Sequence, residues 1–173
     1  MVHRWHITHF LHEKITNICN RPTTIKDHDE WLISRINSRV GKHDDLYLLG
    51  DISMANKVET EKLLHKINGR KHLILGNHDS NIKNSTLFES ISQIKNFNFN
   101  SKSYPNIHIV LCHYPIASWE RKVHGSWHLH GHTHNRFENK GLSFDVGVDA
   151  NNYYPINLEE VADKMTKISL NLF

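Results

Sequence analysis

The sequence predicts an α/β fold, and three observations carry that expectation. Short apolar runs recur along the chain, segments with helical spacing separate them, and polar residues gather where the runs stop. At 173 residues and 38% hydrophobic content, one domain spanning 1–173 can bury a core without disulfides.

The elements follow in chain order. Val2 to Ile7 reads as a first strand, though a polar and short one. Pro22-Thr23-Thr24 reads as a helix start. Ile25, His28, Leu32, Ile36 and Val40 then recur at helical spacing until Gly41 closes the turn. Leu46 to Leu49 is a buried strand that delivers Gly50-Asp51 at its tip. Residues 56–67 carry Val58, Leu63, Leu64 and Ile67 on a second helix, stopped by Asn68-Gly69. His72 to Leu75 is the next apolar strand and runs into Gly76-Asn77-His78-Asp79. Ile107 to Cys112 ends in His113-Tyr114-Pro115, and Trp127 to His130 ends in Gly131-His132. Ser143 to Val148 supplies a further strand and Leu158 to Met165 a late helix.

The composition narrows the function. A net charge of +3 permits an anionic substrate, but the basic residues are dispersed and form no nucleic-acid stripe. No apolar run reaches membrane-spanning length, and MVHRWHITHF lacks the apolar centre of a signal peptide. Two cysteines without a CxxC pair fit a reducing cytoplasm. The unusual figure is 16 histidines, roughly four times ordinary usage. His128, His130, His132 and His134 alternate, so an unbroken strand would put all of them on one face. Gly131 interrupts them. That leaves His132 and His134 on a loop, and two neutral imidazoles at that spacing commonly share a metal site.

Taken together, Gly50-Asp51, Gly76-Asn77-His78-Asp79, His113 and Gly131-His132-Thr133-His134 resemble the calcineurin-like metallophosphoesterase superfamily, in particular its small bacterial and phage phosphodiesterase-like members. His9-Phe10, Cys19-Asn20-Arg21-Pro22, Asn68-Gly69-Arg70-Lys71 and Asp145-Val146-Gly147-Val148-Asp149 extend the likeness over roughly residues 5–160. The resemblance implies a four-layer α-β-β-α sandwich of two mixed β-sheets flanked by helices. It also implies a hydrolase with two divalent metal ions, Mn²⁺ favoured over Ni²⁺, Fe²⁺ or Zn²⁺, whose bridging hydroxide attacks phosphorus. The substrate would be a small phosphate ester or nucleotide, a diester in preference.

Carried over position by position, Asp51 would bridge both metals. Asn77, His113 and His132 would complete one site, and His9 and His134 would serve the other. His78 would face the leaving group, with Asp79 orienting its imidazole. His128 and His130 read as packing residues or outer supports of the site, and Arg121 and His124 fall where a substrate-facing loop would run.

One position departs from the family pattern. Ile7 stands where the first metal-binding aspartate belongs, and Leu11 replaces a usual glycine. Isoleucine binds no metal, so the first site is expected to be weak. The alternative is a degenerate, weakly active or inactive one-metal phosphate- or nucleotide-binding protein of the same fold.

Overall fold

The computed structural model describes residues 3–100, 104–138 and 140–170. Among them the chain forms nine strands and four α-helices in a mixed α/β order, with two mixed sheets.

The first sheet contains β1 (His3–His6), β2 (Asp45–Leu48), β3 (Arg70–Ile74), β4 (Phe88–Ser92) and β9 (Ile156–Asn157), ordered β4-β3-β2-β1-β9. Its first four strands run parallel, and β9 closes the β1 edge antiparallel. The second sheet holds β5 (Ile94–Phe99), β6 (Ile107–Cys112), β7 (Trp127–His130) and β8 (Ser143–Asp145) in that order. There β5 is antiparallel and the rest are parallel. The polar run at the N-terminus therefore does form a strand, although Val2 lies outside the described residues.

Alternation along the strands sorts the core into two clusters. Leu46 and Leu48 of β2 face one way. They pack with Leu32, Ile33 and Ile36 of α2 (His28–Arg39) and with Leu63 and Leu64 of α3 (Lys57–His65). Tyr47 and Leu49 face the other way and meet Ile109, Leu111, Trp127 and Leu129 of the second sheet. Val161, Ala162 and Met165 of α4 (Leu158–Leu170) join that second cluster.

The helix starts follow local chemistry. Asn56 accepts a hydrogen bond from the Glu59 N–H at 3.1 Å, and its amide donates to the Glu59 carboxylate at 2.9 Å, a reciprocal cap for α3. Helix α2 begins later than Thr24, because Thr24 and Asp27 are held in a turn by mutual hydrogen bonds. A short helix, α1 (Ile15–Ile18), precedes it.

The far face of the second sheet carries Val110, His128 and His130, and loops cover it. Trp119 packs on His128 with ring centroids 5.2 Å apart, and Phe137 meets His130 edge-on at 6.2 Å. No helix among the described residues is long and apolar enough to cross a membrane.

Candidate metal centre

Three strands end side by side and set the position of the centre. Just beyond β2 comes Gly50, with φ +81°, where a Cβ would stand 2.5 Å from His113 Nδ1 and 2.6 Å from the Gly76 Cα. Only glycine allows the tips beyond β2, β3 and β6 to approach this closely. Asp51 follows in the left-handed region at φ 51°, a conformation that costs about 1 kcal/mol or more outside glycine and must be held from outside.

Asp79 holds it. Its buried carboxylate accepts the N–H groups of Asp51 (2.9 Å), Ile52 (2.9 Å) and Gly76 (2.8 Å). This corrects the expected role of Asp79: the carboxylate is spent on three backbone donors, and no hydrogen bond joins it to the His78 imidazole among the described residues. Burial raises the Asp79 pKa, and the three N–H bonds pull against that rise. Asp79 thus braces the turn that presents Asp51.

Four of the expected ligands converge. Around His113 Nε2 lie Asp51 Oδ2 at 3.3 Å, Asn77 Oδ1 at 3.2 Å and His132 Nδ1 at 3.1 Å. His113 Nδ1 donates to the Leu49 carbonyl at 2.6 Å, which turns Nε2 toward the other three atoms. Bonds of about 2.0–2.3 Å to a shared ion would separate neighbouring ligand atoms by about 2.8–3.8 Å, from octahedral to tetrahedral geometry. The observed spacings fall in that range, so the residues present fit a divalent cation.

The electrostatics agree with the geometry. Burial disfavours charge on both Asp51 and His113, yet their mutual hydrogen bond prevails. Asp51 is pulled down to about 2 and His113 is raised. Burial and the neighbouring His113 lower His132. Two acceptor oxygens and two imidazoles around one point need a shared cation, whether a proton or a metal.

His9 and His134 approach each other beside this cluster, with ring centroids 4.7 Å apart. His9 Nε2 is buried, has no hydrogen-bond partner and lies 3.9 Å from Asp51 Oδ2. An orphaned buried nitrogen aimed at a carboxylate is what a missing cation would satisfy. Burial first, and His134 second, push His9 down to about 3, so its imidazole is neutral at ordinary pH.

His134 Nδ1 bonds the Asp149 carboxylate at 2.7 Å and has Cys19 Sγ at 3.3 Å. Asp149 is itself clamped by Arg21 through bonds of 2.9 and 3.0 Å. The Asp149 and Cys19 contacts raise His134 to about 9. Cys19, His134 and Asp149 form a second group of donor atoms within 4.8 Å of one another. Sequence reasoning quoted Cys19, Arg21 and Asp149 within family-like stretches but gave them no role, because their contacts with one another or with His134 span 115, 128 and 15 residues.

Ile7 is buried, with its Cδ1 only 1.5 Å from where a Cβ on Gly131 would stand. The butyl group fills the space that Gly131 leaves, as a core residue.

His78 is exposed at the lip of the centre, and its backbone N–H donates to Asp51 Oδ1 at 3.0 Å. The alternating histidines divide as Gly131 suggested. His128 and His130 are fully buried in β7, whereas His132 and His134 follow it with φ of 65° and 49°. His128 accepts the Ile116 N–H and lies 3.2 Å from the carbonyls of Val110 and Tyr114, so it is a packing residue that ties down a loop. Arg121 and His124 belong to the loop that carries Trp119, and among the described residues neither contacts the group around His113.

No family model matches the chain. It is 31% identical over 170 residues to the uncharacterized protein MJ1445 of Methanocaldococcus jannaschii, covering 92% of this chain and 88% of that one. The chain belongs to the MJ1445 family. A further relative of the chain, the gene 66 protein of Mycobacterium phage D29, is 27% identical over 173 residues, covering 82% and 84% of the two chains. In three dimensions the crystal structure of AQ665, a protein of unknown function from Aquifex aeolicus, superposes with a TM-score of 0.71. That likeness covers 94% of this chain and 98% of the other at 23% identity, and it speaks to the fold.

Proposed function

We propose that this chain is a metal-dependent phosphoesterase of the calcineurin-like superfamily, with phosphodiesters as its preferred substrates. The single observation that supports this most is the gathering of Asp51, Asn77 and His132 within 3.3 Å of His113 Nε2 at the strand tips. The four-layer α-β-β-α sandwich flanked by helices belongs to the same proposal; helices α2 and α3 supply its first layer, whereas among the described residues loops bearing Trp119 and Phe137 lie on the far face of the second sheet.

In this reading Asp51, Asn77, His113 and His132 hold one divalent ion, and Asp51, His9 and His134 hold a weaker one. Such ions supply Lewis-acid charge for the phosphoryl oxygens and acidify a water molecule near neutral pH. The chain's own residues do the rest. The Leu49 carbonyl fixes the His113 tautomer, and Asp79 fixes the turn at Asp51. His78, exposed at the lip, offers a proton or hydrogen bond to the departing alkoxide. His78→Ala is expected to slow diester hydrolysis about 10²–10³-fold and to leave metal content unchanged. Metal loss in that variant would make His78 a ligand.

The test of the whole is hydrolysis of bis(p-nitrophenyl) phosphate with added Mn²⁺, Ni²⁺ or Zn²⁺, alongside metal analysis of the purified protein. Turnover that depends on metal supports the reading. A protein that takes up no metal and hydrolyses nothing ends it.

The buried Ile7 favours one alternative, a one-metal phosphate- or nucleotide-binding protein without turnover. Ile7→Asp decides between them. A buried carboxylate beside Gly131 is costly without a cation, so the metal-free variant is expected to melt below the parent protein. With Mn²⁺ it should recover, hold nearer two ions than one, and hydrolyse faster at limiting metal. A variant whose ion content and rate match the parent shows that another group already fills the gap.

A further inference from the structure

A cavity of about 400 Å³ opens beside the group around His113. It shares Asn77 and Tyr114 with that cluster. Tyr114 donates to Asn77 Oδ1 at 3.4 Å and sets its ring against those of His113 and His132, each at 4.8 Å between centroids. A group entering the cavity therefore sits next to a phosphate at the cluster. The volume is in the range of small-molecule sites, roughly 300–1,000 Å³, and far exceeds what a simple alkyl ester needs.

The lining selects among larger groups. Leu75 and the buried Cys112 give it an apolar floor, Ile94 is 52% exposed, and the Tyr114 ring is 42% exposed. Ile94 and Tyr114 thus put apolar surface at the cavity mouth. Polar groups stand at the rim: the Gln93 amide offers a donor and an acceptor, and Lys83 offers a cation. Neither side chain is engaged by another described residue. An acyl chain would use the floor but neither rim group. A heteroaromatic ring uses all of them, stacking on Tyr114 and Ile94 while its edge meets Gln93.

We infer that this cavity binds the base of a nucleoside whose phosphate lies at the metal cluster, which makes the substrate class nucleotide phosphoesters. The inference rests on the phosphoesterase reading for the position of the phosphate, and its test separates the two. Binding of adenosine 5′-monophosphate, ribose 5-phosphate and inorganic phosphate is measured by calorimetry on the full chain in Mn²⁺. The nucleotide is expected to bind at least tenfold tighter than ribose 5-phosphate. In Ile94→Asp that preference should fall below threefold. The inorganic phosphate affinity, which reports any general effect of the added charge, should stay within twofold. Equal affinities for the nucleotide and the sugar phosphate in the parent protein overturn the inference. So does a preference that survives Ile94→Asp unchanged. If the nucleotide preference is present but inorganic phosphate fails to bind, the base site stands and the metallophosphoesterase reading falls.

Discussion

Asp51→Asn is expected to empty the metal cluster and to reduce diester hydrolysis by about 10³-fold or more, the scale of losing an essential charged group at a reacting centre. The substitution keeps the shape of the side chain. The amide oxygen can still accept the His78 N–H that Asp51 Oδ1 now receives at 3.0 Å. What changes is the other atom. Asp51 Oδ2 lies 3.3 Å from His113 Nε2 and 3.9 Å from His9 Nε2, so an amide nitrogen there would aim two donors at the proposed ligands and remove the only anion among them. Losing an outer partner of a metal ligand typically costs 10–100-fold in affinity, and losing a shared charged ligand should exceed that. Calorimetry with Mn²⁺ and steady-state kinetics measure both quantities, and circular dichroism should show the fold retained. Mn²⁺ affinity within threefold of the parent would remove Asp51 from the centre.

The second large effect is acid lability well above the range where carboxylates titrate. Burial holds His6 at about 3, helped by the nearby Arg21 guanidinium. Burial, with His134 beside it, holds His9 at about 3, and burial holds His128 at about 4. In the unfolded chain each returns to about 6.5. The folded-state values are depressed, so the unfolded state binds more protons below pH 6.5. The stability these groups permit is complete above that pH and falls as pH drops through 6.5 toward 3–4. At pH 4.5 each contributes a loss of roughly 2–3 kcal/mol, and the sum is a large part of the roughly 5–15 kcal/mol that holds a domain folded. His134, raised to about 9 by Asp149 and Cys19, acts oppositely: its contribution is complete below pH 6.5 and is lost as pH rises through 9. Melting temperature should therefore fall steeply between pH 6.5 and 4.5. His6→Leu, which removes a buried imidazole with neither nitrogen hydrogen-bonded, should flatten that fall. A melting temperature constant over that interval would show that these imidazoles are solvated or paired.

What could be read from the sequence was whatever is local. Asp51, Asn77, His113 and His132 each follow an apolar run, and a strand tip is a place that one-dimensional pattern can locate. Strands β4, β5 and β9 are not legible in the sequence. The alternation of β5, with Ile94, Phe97 and Phe99 among polar residues, is weak, and of the three only Phe97 and Phe99 pack against the core. Adjacency in sequence suggests His78 as the partner of Asp79, while two of its three actual partners, Asp51 and Ile52, lie 28 and 27 positions away. The clamp of Arg21 on Asp149 joins positions 128 apart, and no spacing rule reaches that far.

The place of β1 in its sheet bears on how the chain is made. Trp5 is hydrogen-bonded into a ladder between Tyr47 on one side and Ile156 on the other. A ribosome releases β1 before either of its neighbours, and more than a hundred residues separate it from β9, which covers its second edge. Until then Arg4 and Trp5 present an open strand edge to any extended peptide nearby. The polar and charged character that made His3–His6 look unlike a core strand would serve the nascent chain in that interval, because such an edge resists pairing with the wrong partner.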